Sequence, residues 1–586
     1  MTQASKWRTA YDSRLELKAF GSNGLGIFAL QLFFKVEDAL TTAADAITDG
    51  PDDKKADIVF VDREQHIAVI AQCYSTEKSA TSAEANKASD LNSALTWYLT
   101  SPISGVPERI RPTATELRQA ILDGDIKQLH VWFVHNLPES TNVRNEISAV
   151  KTAAQVALKS IPKGSQVKVF AKEVETETLE ALYIETQSPI LVDESFTIPI
   201  TGGYKTGATS WEAFVTSIPA KFLHTQFKKH GQRLFSANVR DYLGEKKGNK
   251  DINRGIRTTL EDSPTDFWAF NNGITALVHS FEEHKTKTKH ALVFSGLSII
   301  NGAQTTGSIG EASKAPVDSA LVPARFIKTT NSELLHDIIQ FNNSQNKIVA
   351  SDFRSRDAVQ KRLRDEVASI PGAQYEGGRR SSLTPKISKI KTVLPSFTVG
   401  QALAAFHGDP ATAYNKKAEI WTSNNLYQRY FSEATTGRHL VFCMSLLRAV
   451  ETKKLQLFEK SGGAKVAPSM KEQKLRDYFD SRGATYFLVS GIALSIETIS
   501  GISIQDRFAI SFGSKTSPSE AIHIWAPIVE ACSSLVSALG KGLLAGLRDG
   551  AAATTALENF ADLMDATTDP NKQIYDAFTK KLRYEP

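Results

Sequence analysis

The sequence predicts a mixed α/β protein in three parts: an α/β region over residues 1–195, a mixed α/β centre over 196–400 and a mainly α-helical region over 401–586. Three observations predict it. β-prone runs alternate with helix-period runs in the first part, Gly-containing turns separate short strands and helices in the second, and helical patterns dominate from about residue 398. A chain of 586 residues exceeds what one core usually holds, and 41% hydrophobic with 23% charged residues describes a folded chain.

In order, Leu25, Ile27, Phe28, Leu32, Phe33, Val36 and Leu40 recur mostly at spacings of three and four, predicting one amphipathic helix from Asn23 to Ile47. A Gly50-Pro51-Asp52-Asp53 turn follows. Asp57–Asp62 and His66–Tyr74 are β-prone runs around polar Arg63-Glu64-Gln65, which predicts a β-hairpin. Helical patterns over 84–99, 113–123 and 140–161 then alternate with strands at Leu129–Val134 and Val167–Ala171. Pro189, Pro199 and Gly202-Gly203 mark a boundary. In the last part, helices are expected around Ala402–Phe406, Leu440–Val450 and Ala521–Leu547, with a break from Ser461 to Pro468. This part is expected to pack or dimerise, and its isolated His439 and His523 to be structural.

Composition narrows the function. Lys+Arg at 69 against Asp+Glu at 64 leaves only +5, so a nucleic-acid site must be local and not a general basic coat. Three separated cysteines, Cys73, Cys443 and Cys532, build neither a disulfide framework nor a zinc ribbon. Charges interrupt the first twenty residues and no eighteen apolar residues run together, so a soluble, cytoplasmic protein is expected, without a membrane partner. Walker A, GxGxxG and HExxH motifs are absent from the sequence.

The hairpin is the first candidate site. Mg²⁺-dependent hydrolysis of a phosphodiester needs carboxylates for the ion and a nearby amine for the water or phosphate. Asp57 opens the first strand, and the second ends in Ala71-Gln72-Cys73-Tyr74-Ser75. This resembles the restriction-endonuclease-like (PD-(D/E)XK) core, whose acid is followed by Glu/Gln-x-Lys. One alignment places Ala71 and Cys73 at the ligand and lysine positions; a slip of one places Gln72 and Tyr74 there. Either way the strand lysine is missing. Lys78 is the substitute amine, Lys54 and Lys55 precede the acid, and Glu37 on the preceding helix is the second acid. The resemblance implies Asp57 as metal ligand, with Asp57, Gln72, Lys78 and Glu37 as the catalytic set.

The centre carries the second candidate. Asp266-Phe267-Trp268-Ala269-Phe270-Asn271-Asn272-Gly273-Ile274-Thr275, Ile300-Asn301-Gly302-Ala303-Gln304-Thr305 and Phe341-Asn342-Asn343-Ser344-Gln345-Asn346 set Asn, Gln and Gly between apolar flanks. Such side chains suit base edges and phosphates, and glycine permits close backbone approach. Arg354, Arg356, Arg379 and Arg380 add cations suited to phosphate. The apolar alternation through Ile274, Ala276 and Val278 puts Phe267, Trp268 and Phe270 in the core.

In this order the motifs resemble the abortive-infection phage-resistance (AIPR) family, over about Phe222 to Phe431, including Tyr375-Glu376 and Phe406-His407-Gly408-Asp409-Pro410. The order from Ile299 through Asn346 also resembles, more weakly, the ParB and sulfiredoxin-like fold, with Gln304-Thr305 where basic residues are usual. The resemblance implies anti-phage defence. Asn271, Asn272, Gly273, Asn301, Gly302, Gln304, Thr305, Asn343, Gln345 and Asn346, with the four arginines, are expected to bind nucleic acid or a nucleotide, and the first region to cut nucleic acid or, lacking its lysine, only to grip it. A homodimer is a further expectation.

Overall fold

The computed structural model describes residues 6–586 except 51, 79, 188–189, 236–255, 257, 287–289, 332–333, 336–337, 340–341, 343–353, 355–356, 378–391, 464–468 and 544–545. Its architecture is mixed α/β. Contacts divide it into two compact units: residues 1–180 together with 349–586, and residues 181–348.

The first unit opens with helices around a four-stranded sheet of order β1 (Ile58–Asp62), β2 (Ile67–Tyr74), β3 (Gln128–His135), β4 (Lys168–Val174). β1 runs antiparallel to β2, as the hairpin reading requires, and β2, β3 and β4 are parallel. β3 is buried on both faces, as a central strand covered on two sides must be. On one side, Leu129, Val131 and Phe133 pack with Leu91, Leu117 and Val150 from the helices that follow β2 and β3. On the other lies the helix Ser22–Phe34, whose Phe34 ring stacks on Trp132 at 5.3 Å. A Cβ on Gly26 would come within 2.5 Å of Cys73 Sγ, so the glycine lets this helix sit directly on β2.

The single helix expected over 23–47 is instead two. Ser22–Phe34 ends at Lys35, whose φ of 50° is left-handed, and Ala39–Ala46 starts afresh where the Asp38 carboxylate accepts from Thr41 N at 3.2 Å. The local N-cap outcompetes continuation of the apolar period.

The second unit is built on a seven-stranded sheet. Its main order is β5 (Val192–Pro199), β10 (His290–Asn301), β8 (Ile274–Leu277), β11 (Leu321–Thr329), β7 (Trp211–Pro219), β6 (Gly203–Ala208), with β9 (Ser280–Lys285) also pairing with β10. β8 and β11 are parallel, and the other pairs are antiparallel. One face, with Phe214, Ile218, Ala324, Phe326 and Ile299, is core. On the other, Ala213, Leu277, Ile300 and Ile327 form a smaller cluster with Trp211, Leu335, Ile338 and Ile339.

Residues 349–586 return to the first unit as helices, among them Ser396–Phe406, Gly437–Gly463 and Ala484–Leu494, which share one core with Trp421 and Trp525. The helix expected over 521–547 runs from Pro518 only to Ser533, and 3₁₀ turns follow. The expected break is partly helical: the long helix includes Ser461-Gly462-Gly463, while 464–468 lie outside the described residues. His439 is structural, buried with Nδ1 2.9 Å from the Ile510 carbonyl.

Buried ion clusters join the early and late parts of this unit. Arg448 pairs with Asp38 and, at 2.5 Å, with Glu451; Thr398 donates to Asp38 at 2.8 Å. Burial raises Asp38, but the Arg448 charge and the bonds from Arg448 and Thr398 outweigh it and leave the carboxyl below its ordinary range. Burial carries Glu451 up to about 7 despite the same arginine. Arg448→Met strands both acids, an arrangement that costs about 3–5 kcal/mol. A fall in the thermal midpoint is therefore expected, partly recovered when Asp38→Asn is added, as calorimetry of both variants would show.

Candidate functional site

The site grows from the start of β1. An isolated bridge between Ile47 and Ile58, with Thr48 N donating to Asp57 O at 2.9 Å, lays the segment before the turn beside β1. This brings Asp49 back to Asp57. Asp52, Lys54 and Lys55 all have positive φ, at 61°, 58° and 72°. Three such residues without glycine are costly, and they fold the turn so that Asp53 also points inward. Carboxylate oxygens of Asp49, Asp53 and Asp57 lie within 4.8 Å of one another.

Asp57 is 6% exposed. Its Oδ2 accepts from the Cys73 amide at 2.6 Å and from Gln72 Nε2 at 3.2 Å. Burial pushes its carboxyl up to about 7; the Cys73 amide opposes this, the charges of Asp49 and Asp53 reinforce it, and Lys87 pulls it down. Asn23 Nδ2 donates to Asp49 at 2.7 Å, and Lys55 N to Asp53 at 2.8 Å. Ile58 pairs with Ala71 in the sheet. Gln72 and Tyr74 therefore share the Asp57 side of the sheet, and Cys73 faces the helix beneath. Gln72 Oε1 is buried and has no hydrogen-bond partner among the described residues. A carboxylate trio beside this oxygen could hold a hard cation such as Mg²⁺.

The proposed amine and second acid fall elsewhere. Lys78 is exposed beyond the end of β2, its amide bonded to Thr76. The cation whose charge reaches Asp57 is Lys87, on the helix Ala85–Ser89, with Nζ 5.2 Å from the centre of the Tyr74 ring. Glu37 lies in the turn between helices, not on one, and its charge is felt by Lys417, which pairs with Asp62 at 3.0 Å, at the opposite end of β1 from Asp57. Lys54 pairs with Asp52 and Lys55 with Asp90. Asp49, Asp53 and Lys87 thus escaped the sequence reading. The four-residue spacing of Asp49, Asp53 and Asp57 was the only available trace of the trio.

The central motifs converge in part. Asn301, Thr275 and Arg325 stand in one row across β10, β8 and β11. Arg325 Nη2 donates to Thr275 Oγ1 at 2.8 Å and to Asn342 Oδ1 at 2.7 Å, while Asn301 Nδ2 donates to the Asn342 carbonyl at 2.9 Å. A Cβ on Gly273 would meet the Pro323 carbonyl at 2.2 Å, and one on Gly302 the Gly273 carbonyl at 2.5 Å; both have positive φ. The glycines serve backbone packing here.

Residues 235–453 match the family model described as AIPR protein. That segment of the chain is similar to the AIPR family. The match supports a role in abortive-infection phage resistance. No curated protein and no solved structure matches. Among the described residues, no helix is long and apolar enough to cross a membrane.

Within the AIPR segment, Asn271 donates to Phe267 O at 3.0 Å and so secures its own short helix, whereas Asn272 is exposed. Gln304 is half-buried and Thr305 buried at the start of the helix Ala303–Gly310. Arg354 is engaged: it donates to Trp421 O and Asn424 Oδ1 and lies 4.3 Å from the Tyr427 ring centre. Asn343, Gln345, Asn346, Arg356, Arg379 and Arg380 lie outside the described residues. Phe267 is buried as expected, but Trp268 and Phe270 are 50% and 68% exposed. The apolar alternation misleads because residues 267–270 form a helical turn before β8, not part of the strand.

A raised carboxyl holds its proton in the folded state between its ordinary value near 3.9 and about 7, so ion-free stability declines as pH rises through that window. Asp57→Asn removes this cost. In chelator, the variant is expected to match the wild type near pH 4 and to exceed it above pH 7 by roughly 1–3 kcal/mol. Thermal unfolding at several pH values checks this.

Proposed function

We propose that this protein acts in abortive infection as a divalent-metal-dependent nuclease, with the ion held by Asp49, Asp53 and Asp57. The observation that carries this reading is the convergence of three carboxylates at a buried acid, where like charges are otherwise unfavourable. Mg²⁺ in this position supplies a Lewis acid for the phosphate and a low-pKa water. Gln72 orients Asp57 through Nε2 and offers Oε1 to the ion or its hydration shell. Lys87 takes the place of the missing strand lysine, its ammonium on the same side of the sheet as Gln72 and Tyr74, where it stabilises charge on a scissile phosphate. The strand pair that opens on an acid and returns with a glutamine supports the restriction-endonuclease-like resemblance.

A second reading, a nuclease-like region that grips nucleic acid without cutting it, is favoured by Tyr74 standing where the strand amine belongs. Single- and double-stranded DNA and RNA incubated with Mg²⁺ or Mn²⁺ separate the two. Cleavage is expected, with Asp57→Asn slowing it at least about 100-fold and Lys87→Met slowing turnover while leaving divalent-ion stabilisation of the fold intact. Absence of any metal-dependent cleavage by the wild type selects the second reading.

A further inference from the structure

The second unit presents a surface that the metal cluster does not use. Along the sheet, Tyr204, Val215, Arg325, Thr275 and Asn301 are consecutive cross-strand neighbours on β6, β7, β11, β8 and β10. Directly paired residues share a face, so these five form a row about 19 Å long at 4.8 Å per strand. It lies on the face opposite the core that holds Phe214, Ala324 and Ile274. Ser217 and Pro323 are neighbours on the same face, two residues along from Val215 and Arg325. Trp268 is tied there by its indole N–H, which donates to Ser217 Oγ at 2.8 Å.

Two aromatic rings on this surface are open to solvent, Tyr204 at 62% exposed and Trp268 at 50%, and Phe270, two residues after Trp268 on the same helical turn, is 68% exposed. They stand among polar groups and not in an aliphatic patch, with exposed Asn272, Asn301 and Arg325 close in sequence or register. Among the described residues Arg325 makes no ion pair. Its guanidinium is held by the neutral oxygens of Thr275 and Asn342, so its direction is fixed and no described carboxylate pairs with it. A rigid cation calls for an anion, and exposed rings beside it call for flat partners.

We propose that this face binds a single strand of nucleic acid, with bases stacking on Tyr204, Trp268 and Phe270 and a phosphate meeting Arg325. The interaction does not depend on Asp49, Asp53 or Asp57. A duplex keeps its bases stacked on each other and offers the rings nothing, so the surface discriminates for single strands.

Fluorescence anisotropy of the full-length protein with labelled twenty-nucleotide dT and U oligomers, in chelator, tests this. The wild type is expected to bind single strands more tightly than a duplex of equal length. Trp268→Ala and Phe270→Ala are each expected to weaken single-strand binding roughly 5- to 100-fold. Arg325→Met is expected to weaken binding and to reduce the log–log salt slope by about 0.7. Phe270 is the least integrated of these side chains, so its replacement, with an unchanged thermal midpoint, separates a lost contact from a lost fold. Asp57→Asn should bind normally, so loss of cleavage and loss of this surface are read independently. Unaltered single-strand affinity in both Phe270→Ala and Arg325→Met overturns the proposal, as does duplex binding equal to single-strand binding. Self-association abolished by Phe270→Ala, with no oligomer bound by the wild type, overturns it in favour of a second copy as the occupant.

Discussion

Everything at the candidate metal centre depends on one unfavourable act, the placing of the Asp57 carboxylate in the fold with two further carboxylates turned toward it. Two donors, Cys73 N and Gln72 Nε2, offset only part of that cost. The β1–β2 register delivers both, because Ile58 opposite Ala71 sets Gln72 beside Asp57. The left-handed residues Asp52, Lys54 and Lys55 add a second local cost at the same place. Strain and crowded charge in one short turn are difficult to explain by stability, since a core gains nothing from either. They are what the proposed cation site would retain.

The fold was legible where periodicity and punctuation agree. The hairpin, the alternating helices and strands to Val174, and the helical character of the last region all follow from local patterns that tertiary packing reinforces. Errors arose where a short local motif overrode a longer period. Asp38 capped a new helix inside an apolar run, and residues 267–270 made a helical turn that exposed two rings expected inside. The site was less legible than the fold. Asp57 and Gln72 could be named because strands place residues predictably, but Asp49 and Asp53 come from a loop whose path no periodicity encodes. Lys87 is thirteen positions past Tyr74, and only the helix Ala85–Ser89 brings it back.

The AIPR motifs divide by role. Gly273 and Gly302 let two loops touch through their backbones, and Asn271 caps its own turn. Asn342 is the hub that ties Asn301 to Arg325. Arg354, which looked like a phosphate contact, is occupied by Trp421, Asn424 and Tyr427. Among the described residues, much of the polar signature therefore organises the fold.

The first compact unit is assembled from both sides of an insertion, residues 1–180 and 349–586. Arg448, Lys417 and Arg482, which neutralise Asp38, Asp62 and Glu116 of the early segment, are therefore translated more than two hundred residues after β4. A nascent chain carries the acid-rich hairpin while its counter-charges are still unmade, and since domains tend to fold as they emerge, this one has to wait.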